Sequence, residues 1–231
     1  MFKRIVPSLF TLGNLVFGLI ALLYIINGDP ARGSAFILVG MLLDGLDGKV
    51  ARFLGVSSEF GKQLDSLSDM VTFGVAPAFL TYELALEIYG IYGLAICFAF
   101  PIAGAIRLAR FNVIAEETPS GFFIGMPITI AGGILTIVVL FDIFPQLFVL
   151  GAVLFLAYMM ISSTKYPDFK TVGIPKWAQL LLVLVILLIV FYFKIPELIF
   201  LPITIYILLG LKERLETILQ WYKRKRVCRS E

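Results

Sequence analysis

The chain has 231 residues, 60% of them hydrophobic and 15% charged, with a mean hydropathy of +0.97 and a formal charge of +3. This composition excludes a soluble globular domain and describes a polytopic membrane protein. The absence of histidine removes imidazole catalysis and histidine-bound zinc, and two distant cysteines (Cys97, Cys228) make no disulfide framework.

In chain order, Lys3 and Arg4 precede an apolar run from about residue 7 to 26. It lacks a small-residue cleavage site and is followed by more hydrophobic spans, so it reads as an uncleaved first membrane helix. Thr11 and Asn14 lie three apart on one face of it, suited either to a helix–helix hydrogen bond or to a ligand contact. After a turn at residues 27–30, a second helix is expected at about 33–54 and a third at about 59–82. The charged ends of these two meet on one side of the membrane. A fourth helix (about 89–113) ends in RLARFN, where Arg107 and Arg110 share a face beside Asn112. A polar loop follows to about residue 123. Four further helices are expected at about 125–141, 146–163, 177–193 and 196–212, each long enough for a hydrocarbon core of about 30 Å. The expected fold is therefore an all-α membrane bundle of eight helices. It forms one transmembrane domain over 1–231, with a core over about 1–165, added helices over about 176–212 and a basic tail at 213–231.

Eight spans put both termini on one side. With the N-terminus inside, only Arg32 and Lys194 of the 19 basic residues fall outside, which satisfies the positive-inside rule. Both termini are then expected in the cytoplasm. The tail sequence WYKRKRVCR suits either an interfacial anchor for anionic headgroups or a topology determinant.

The most informative stretch is DGLDGKVARFLGVSSEFGKQLDSLSD, Asp44 to Asp69. Asp44 and Asp47 are three apart, and Asp65 and Asp69 four apart, so each pair shares a helix face. Carboxylates at membrane depth are costly unless they pair, bind ions or line a wet cavity. Divalent cations with oxygen ligands are the simplest way to hold four together, and two such ions can clamp both oxygens of a phosphoryl displacement. Gly48, Ala51 and Gly61 leave room for a bulky group near the helix backbone, and Arg52 can grip a phosphate with its fork. One aspartate not saturated by metal can serve as base for a hydroxyl nucleophile.

The spacing D-x2-D-G-x2-A-R-x8-G-x3-D-x3-D resembles the signature of the CDP-alcohol phosphotransferase family at all eight defining positions. The resemblance implies membrane enzymes that move a phosphatidyl-type group from a CDP-activated lipid to an alcohol and release CMP. It implies that Asp44, Asp47, Asp65 and Asp69 hold Mg²⁺ or Mn²⁺, two ions per site, with Asp69 also the general base. It further implies that Gly48, Ala51, Arg52 and Gly61 bind the nucleotide, joined by Thr11 and Asn14 of the first helix. The resemblance also implies a homodimer; the positive-inside count, for its part, puts the site on the cytoplasmic face of the cell membrane, and no nucleic-acid partner is expected.

The segments SSEFGKQLDSLSDMVTFGVAPA, RLARFN and GMP are most similar to the phosphatidylserine synthase branch, which implies L-serine as acceptor. Arg107 and Arg110, with Lys62 and Asn112, are then candidates to receive the serine carboxylate or the lipid phosphate. Ser66 and Ser68 have no histidine partner and read as polar lining, so direct transfer is expected. Two other readings are glycerol phosphate or inositol phosphate as acceptor and, from another class, a divalent-cation transporter. The first calls for more basic residues than Lys165 and Lys170 supply. The second is opposed by Lys49 and Arg52 beside the carboxylates and by the lack of acidic residues further across the membrane.

Overall fold

The structure is a computed structural model that describes residues 2–56, 58–114 and 122–167. It is helical apart from one short strand pair. The elements are α1 (Phe2–Ile26), α2 (Pro30–Leu54), α3 (Glu59–Asp69), α4 (Ala76–Thr81), α5 (Gly90–Ile114), α6 (Ile128–Leu140) and α7 (Gln146–Ile161), with strands β1 (Phe122–Ile124) and β2 (Lys165–Pro167). The predicted helices at 177–193 and 196–212 and the basic tail lie outside the described residues.

Chain contacts separate two compact units. One comprises residues 1–116 and 126–161, the other 117–125 and 162–231. In the second, β1 and β2 pair antiparallel with Phe123 opposite Tyr166.

The first unit carries α1 to α7. Along α1, Thr11, Asn14, Gly18, Ala21 and Ile25 are buried. The opposite stripe of Leu9, Leu12, Val16, Leu19, Leu23 and Ile26 is exposed. Large apolar side chains outward with polar ones inward reverse the arrangement of a soluble helix, and a continuous exposed apolar stripe of this kind suits lipid. α2 returns antiparallel after a turn in which Asp29 accepts from the Arg32 N–H (3.1 Å) and pairs with its guanidinium (3.2 Å). Phe36 of α2 then stacks against Phe17 and Tyr24 of α1.

The third expected helix keeps its helical path but not a uniform register. After α3 come a π-helical stretch Met70–Val75, then α4, a second π-helical stretch Tyr82–Leu86 and a 3₁₀ turn Glu87–Tyr89. Pro77 explains the first π-helical stretch. It has no N–H for the carbonyl of Phe73, and its ring crowds that carbonyl. The Ala76 N–H reaches back five residues to Val71 O, which widens the turn. α6 closes on this distortion at Gly132, where any Cβ would run into Phe73 O.

α6 starts at Ile128 rather than at the expected Gly125. Pro127 disfavours helical backbone in the residue before it, so the chain enters α6 from extended structure. Among the described residues, two helical stretches are long and apolar enough to cross a membrane, Pro7–Ile26 and Glu59–Val113. α2 has the length, but its second half carries the charged signature.

Candidate active site

α3 is capped by Ser58, whose extended backbone (φ −141°, ψ 148°) lets its Oγ accept from the Gly61 N–H at 3.0 Å. Gly61 therefore sits inside the cap, where a Cβ would press on Ser58 Oγ at 3.1 Å. From this start, Asp65 and Asp69 fall one turn apart on the same face. Asp44, arriving on α2, completes a cluster: one carboxylate oxygen from each of Asp44, Asp65 and Asp69 lies within 4.8 Å of the other two. Asp69 is only 7% exposed, whereas Asp44 and Asp65 are half-buried.

Three carboxylates this close repel one another in a poorly solvated setting unless a cation or protons offset the charge. Oxygen donors on opposite sides of a Mg²⁺ ion stand about 4 Å apart and around Ca²⁺ nearly 5 Å, so the spread fits a hard divalent ion. The donor set thus suits a hard divalent cation. The side chains of Asp47, Ala51 and Arg52 lie outside the described residues.

The first helix supplies an unexpected partner. Asn14 is fully buried, and its Nδ2 donates to Asp69 Oδ1 at 3.3 Å. Thr11, also buried, donates to Pro7 O of its own helix at 3.2 Å. Gly48 is exposed on α2.

The candidates for the acceptor side occupy different settings. Arg107 is 6% exposed, with its guanidinium 5.2 Å from the ring centre of Phe111. Arg110 donates to the C-terminal carbonyls of α7, Ile161 O at 2.7 Å and Met160 O at 3.3 Å. Lys62 pairs with Glu59 at 2.6 Å on the exposed side of α3. Asn112 ties the end of α5 to α3, donating to Gln63 Oε1 at 3.0 Å and Ser66 Oγ at 3.1 Å. Gln63 and Ser66 gained these roles without any signal in their own spacing. Thr72, fully buried in the π-helical stretch, was also missed, though a threonine three residues past Asp69 in an apolar run is a visible cue.

Helices with apolar stripes outward and a carboxylate cluster inward define a membrane protein built around a candidate cation site. Comparison with known proteins specifies the class. Residues 4–221 match the family model described as CDP-alcohol phosphatidyltransferase. The chain is 36% identical over 198 residues to the CDP-diacylglycerol–serine O-phosphatidyltransferase of Helicobacter pylori (strain J99), covering 82% of each. It is 39% identical over 165 residues to the Bacillus subtilis (strain 168) protein of that name, covering 71% of this chain and 91% of the relative. The archaetidylserine synthase of Methanothermobacter thermautotrophicus is 33% identical over 169 residues, covering 72% and 71%. The chain belongs to the CDP-alcohol phosphatidyltransferase family and is an enzyme of the CDP-alcohol phosphotransferase type.

Proposed function

We propose that this protein transfers a phosphatidyl group from a CDP-activated lipid to the hydroxyl of L-serine, forming phosphatidylserine and releasing CMP. The observation that carries the chemistry is the convergence of Asp44, Asp65 and Asp69 from two helices of the signature. The names of the similar proteins support serine over glycerol phosphate or inositol phosphate.

Asp44, Asp47, Asp65 and Asp69 would hold the divalent ions, Mg²⁺ or Mn²⁺. Bound there, the ions would supply charge neutralisation for the phosphates. Gly48, Ala51, Arg52 and Gly61, with Thr11 and Asn14 of the first helix, would bind the nucleotide. Asp69 takes the serine hydroxyl proton. The serine oxygen forms its bond to the lipid-side phosphorus as the bond from that phosphorus to the CMP oxygen breaks, and CMP departs with that electron pair. Burial of Asp69 and the bond it accepts from Asn14 hold its carboxylate in one orientation, which suits a base that must meet the serine hydroxyl.

Arg107 and Asn112 define the acceptor side, where the serine carboxylate meets a cation in a largely desolvated place. Arg110 and Lys62 border it. Each would exchange its present partner to meet an anion directly. The basic-residue asymmetry supports eight spans, cytoplasmic termini and a cytoplasm-facing site in the cell membrane. A homodimer in contact with membrane lipid completes the reading, with the chain acting as one membrane domain.

Purified protein in mixed micelles, given CDP-diacylglycerol, Mn²⁺ and each acceptor in turn, tests the assignment. Labelled phosphatidylserine is the expected product. Product from glycerol phosphate or inositol phosphate, with none from serine, would overturn the acceptor.

A further inference from the structure

We propose that Thr72 is a positioning residue for the reaction: through Asn14 it fixes the carboxylate of Asp69 in the orientation that accepts the proton. The inference rests on Asp69 being the base. Thr72 is fully buried three residues beyond Asp69, within the π-helical stretch Met70–Val75. Its Oγ1 donates to the main-chain carbonyl of Asn14 at 3.0 Å, and the side chain of the same Asn14 donates to Asp69 Oδ1. The amide orientation follows from chemistry, because the opposite assignment would set the amide oxygen against a carboxylate oxygen.

Other buried hydroxyls behave differently. Thr81 and Thr136 each donate to the carbonyl four residues back in their own helix, at 2.7 and 2.8 Å. Thr11 and Ser68 do the same. Thr72 instead crosses to α1, and the packing around it is shaped for that crossing. A Cβ at Gly18 would collide with Thr72 Oγ1. One at Gly40 would come within 2.7 Å of Thr72 Cγ2 and 2.9 Å of Asn14 Oδ1. Two helices have therefore given up a side chain each where Thr72 and Asn14 meet.

The Asn14 carbonyl lies inside α1 and has a second lone pair beyond its helical bond. Removing the Thr72 hydroxyl thus strands no backbone group, and its cost to folding is small. Its cost to geometry is not: a base displaced by about 1 Å can lose on the order of 100-fold in rate.

The test is Thr72→Val beside Thr72→Ser, with kcat and both KM values measured in mixed micelles, Mn²⁺ affinity by electron paramagnetic resonance, and thermal unfolding. Thr72→Val is expected to lower kcat about 10- to 100-fold even at saturating Mn²⁺, with KM for CDP-diacylglycerol and serine within about twofold and unfolding unchanged. Thr72→Ser should recover most of kcat. Wild-type kcat in Thr72→Val would overturn the proposal. So would a loss of kcat that parallels a loss of thermal stability and is not restored by serine. Asp69→Asn, run alongside, separates the two readings. Full activity there would sink the assignment of the base itself, whereas an inactive Asp69→Asn with a fully active Thr72→Val would sink only the role of Thr72.

Discussion

The two sides of the candidate site are built by different means. Around Asp69, α1, α2 and the π-helical stretch meet at Gly18 and Gly40, with Asn14 and Thr72 fully buried between them. Where α3 meets the end of α5, Asn112, Gln63 and Ser66 are joined by side-chain hydrogen bonds, and Lys62 pairs with Glu59 near solvent. Backbone contacts through missing side chains cannot rearrange without separating helices, whereas side-chain bonds near water exchange at little cost. The difference teaches that the side around Asp69, the proposed base, is rigid, and that the side around Asn112, where we propose the acceptor enters, is adjustable.

The largest break in this contrast is expected from the carboxylates. Asp69→Asn should lower CMP release on the order of 10²- to 10⁴-fold while the protein stays folded, as checked by initial rates and thermal unfolding. Gly40→Val comes next. A branched side chain there has no space, and overpacking of about 1–3 kcal/mol should lower the unfolding temperature and the rate together.

Asn112→Ala probes the adjustable side. Loss of its side-chain bonds to Gln63 and Ser66, at about 0.5–1.5 kcal/mol each, should raise KM for serine several-fold with a smaller change in kcat, measured by varying serine at saturating lipid. The smallest effect belongs to Lys62→Ala. An exposed pair is worth about 0–1 kcal/mol, so stability should scarcely move, and a large rise in KM for serine would instead place Lys62 in direct contact with the acceptor.

Much of the site was legible because it follows helix periodicity. Asp65 and Asp69 at four apart, with Asp44 on the preceding antiparallel helix, could be brought together from spacing alone, and the structure clusters all three. The polar pair on the first helix was also visible, but not that Asn14 reaches Asp69, since that depends on how α1 crosses α3. The third helix was expected to run unbroken over about 59–82, and the widening at Met70–Val75 ahead of Pro77 was not foreseen, because hydropathy does not register a missing N–H. The start of α6 was misplaced by three residues because an apolar run continues through Met126–Pro127, where proline geometry overrides hydropathy. The strand pair was invisible because three residues carry too little alternation to register. The partner of Arg110 is a pair of main-chain carbonyls, which leave no mark in a sequence.

The most direct test of the central claim, a carboxylate-held cation serving transfer to serine, is CMP release by protein stripped with chelator and then titrated with Mn²⁺ in the presence of CDP-diacylglycerol and L-serine. The account predicts no release without metal, restoration on titration, dependence on serine, and no restoration in Asp65→Asn at the same Mn²⁺ concentrations. Undiminished release from the stripped protein, or full restoration in Asp65→Asn, would contradict it.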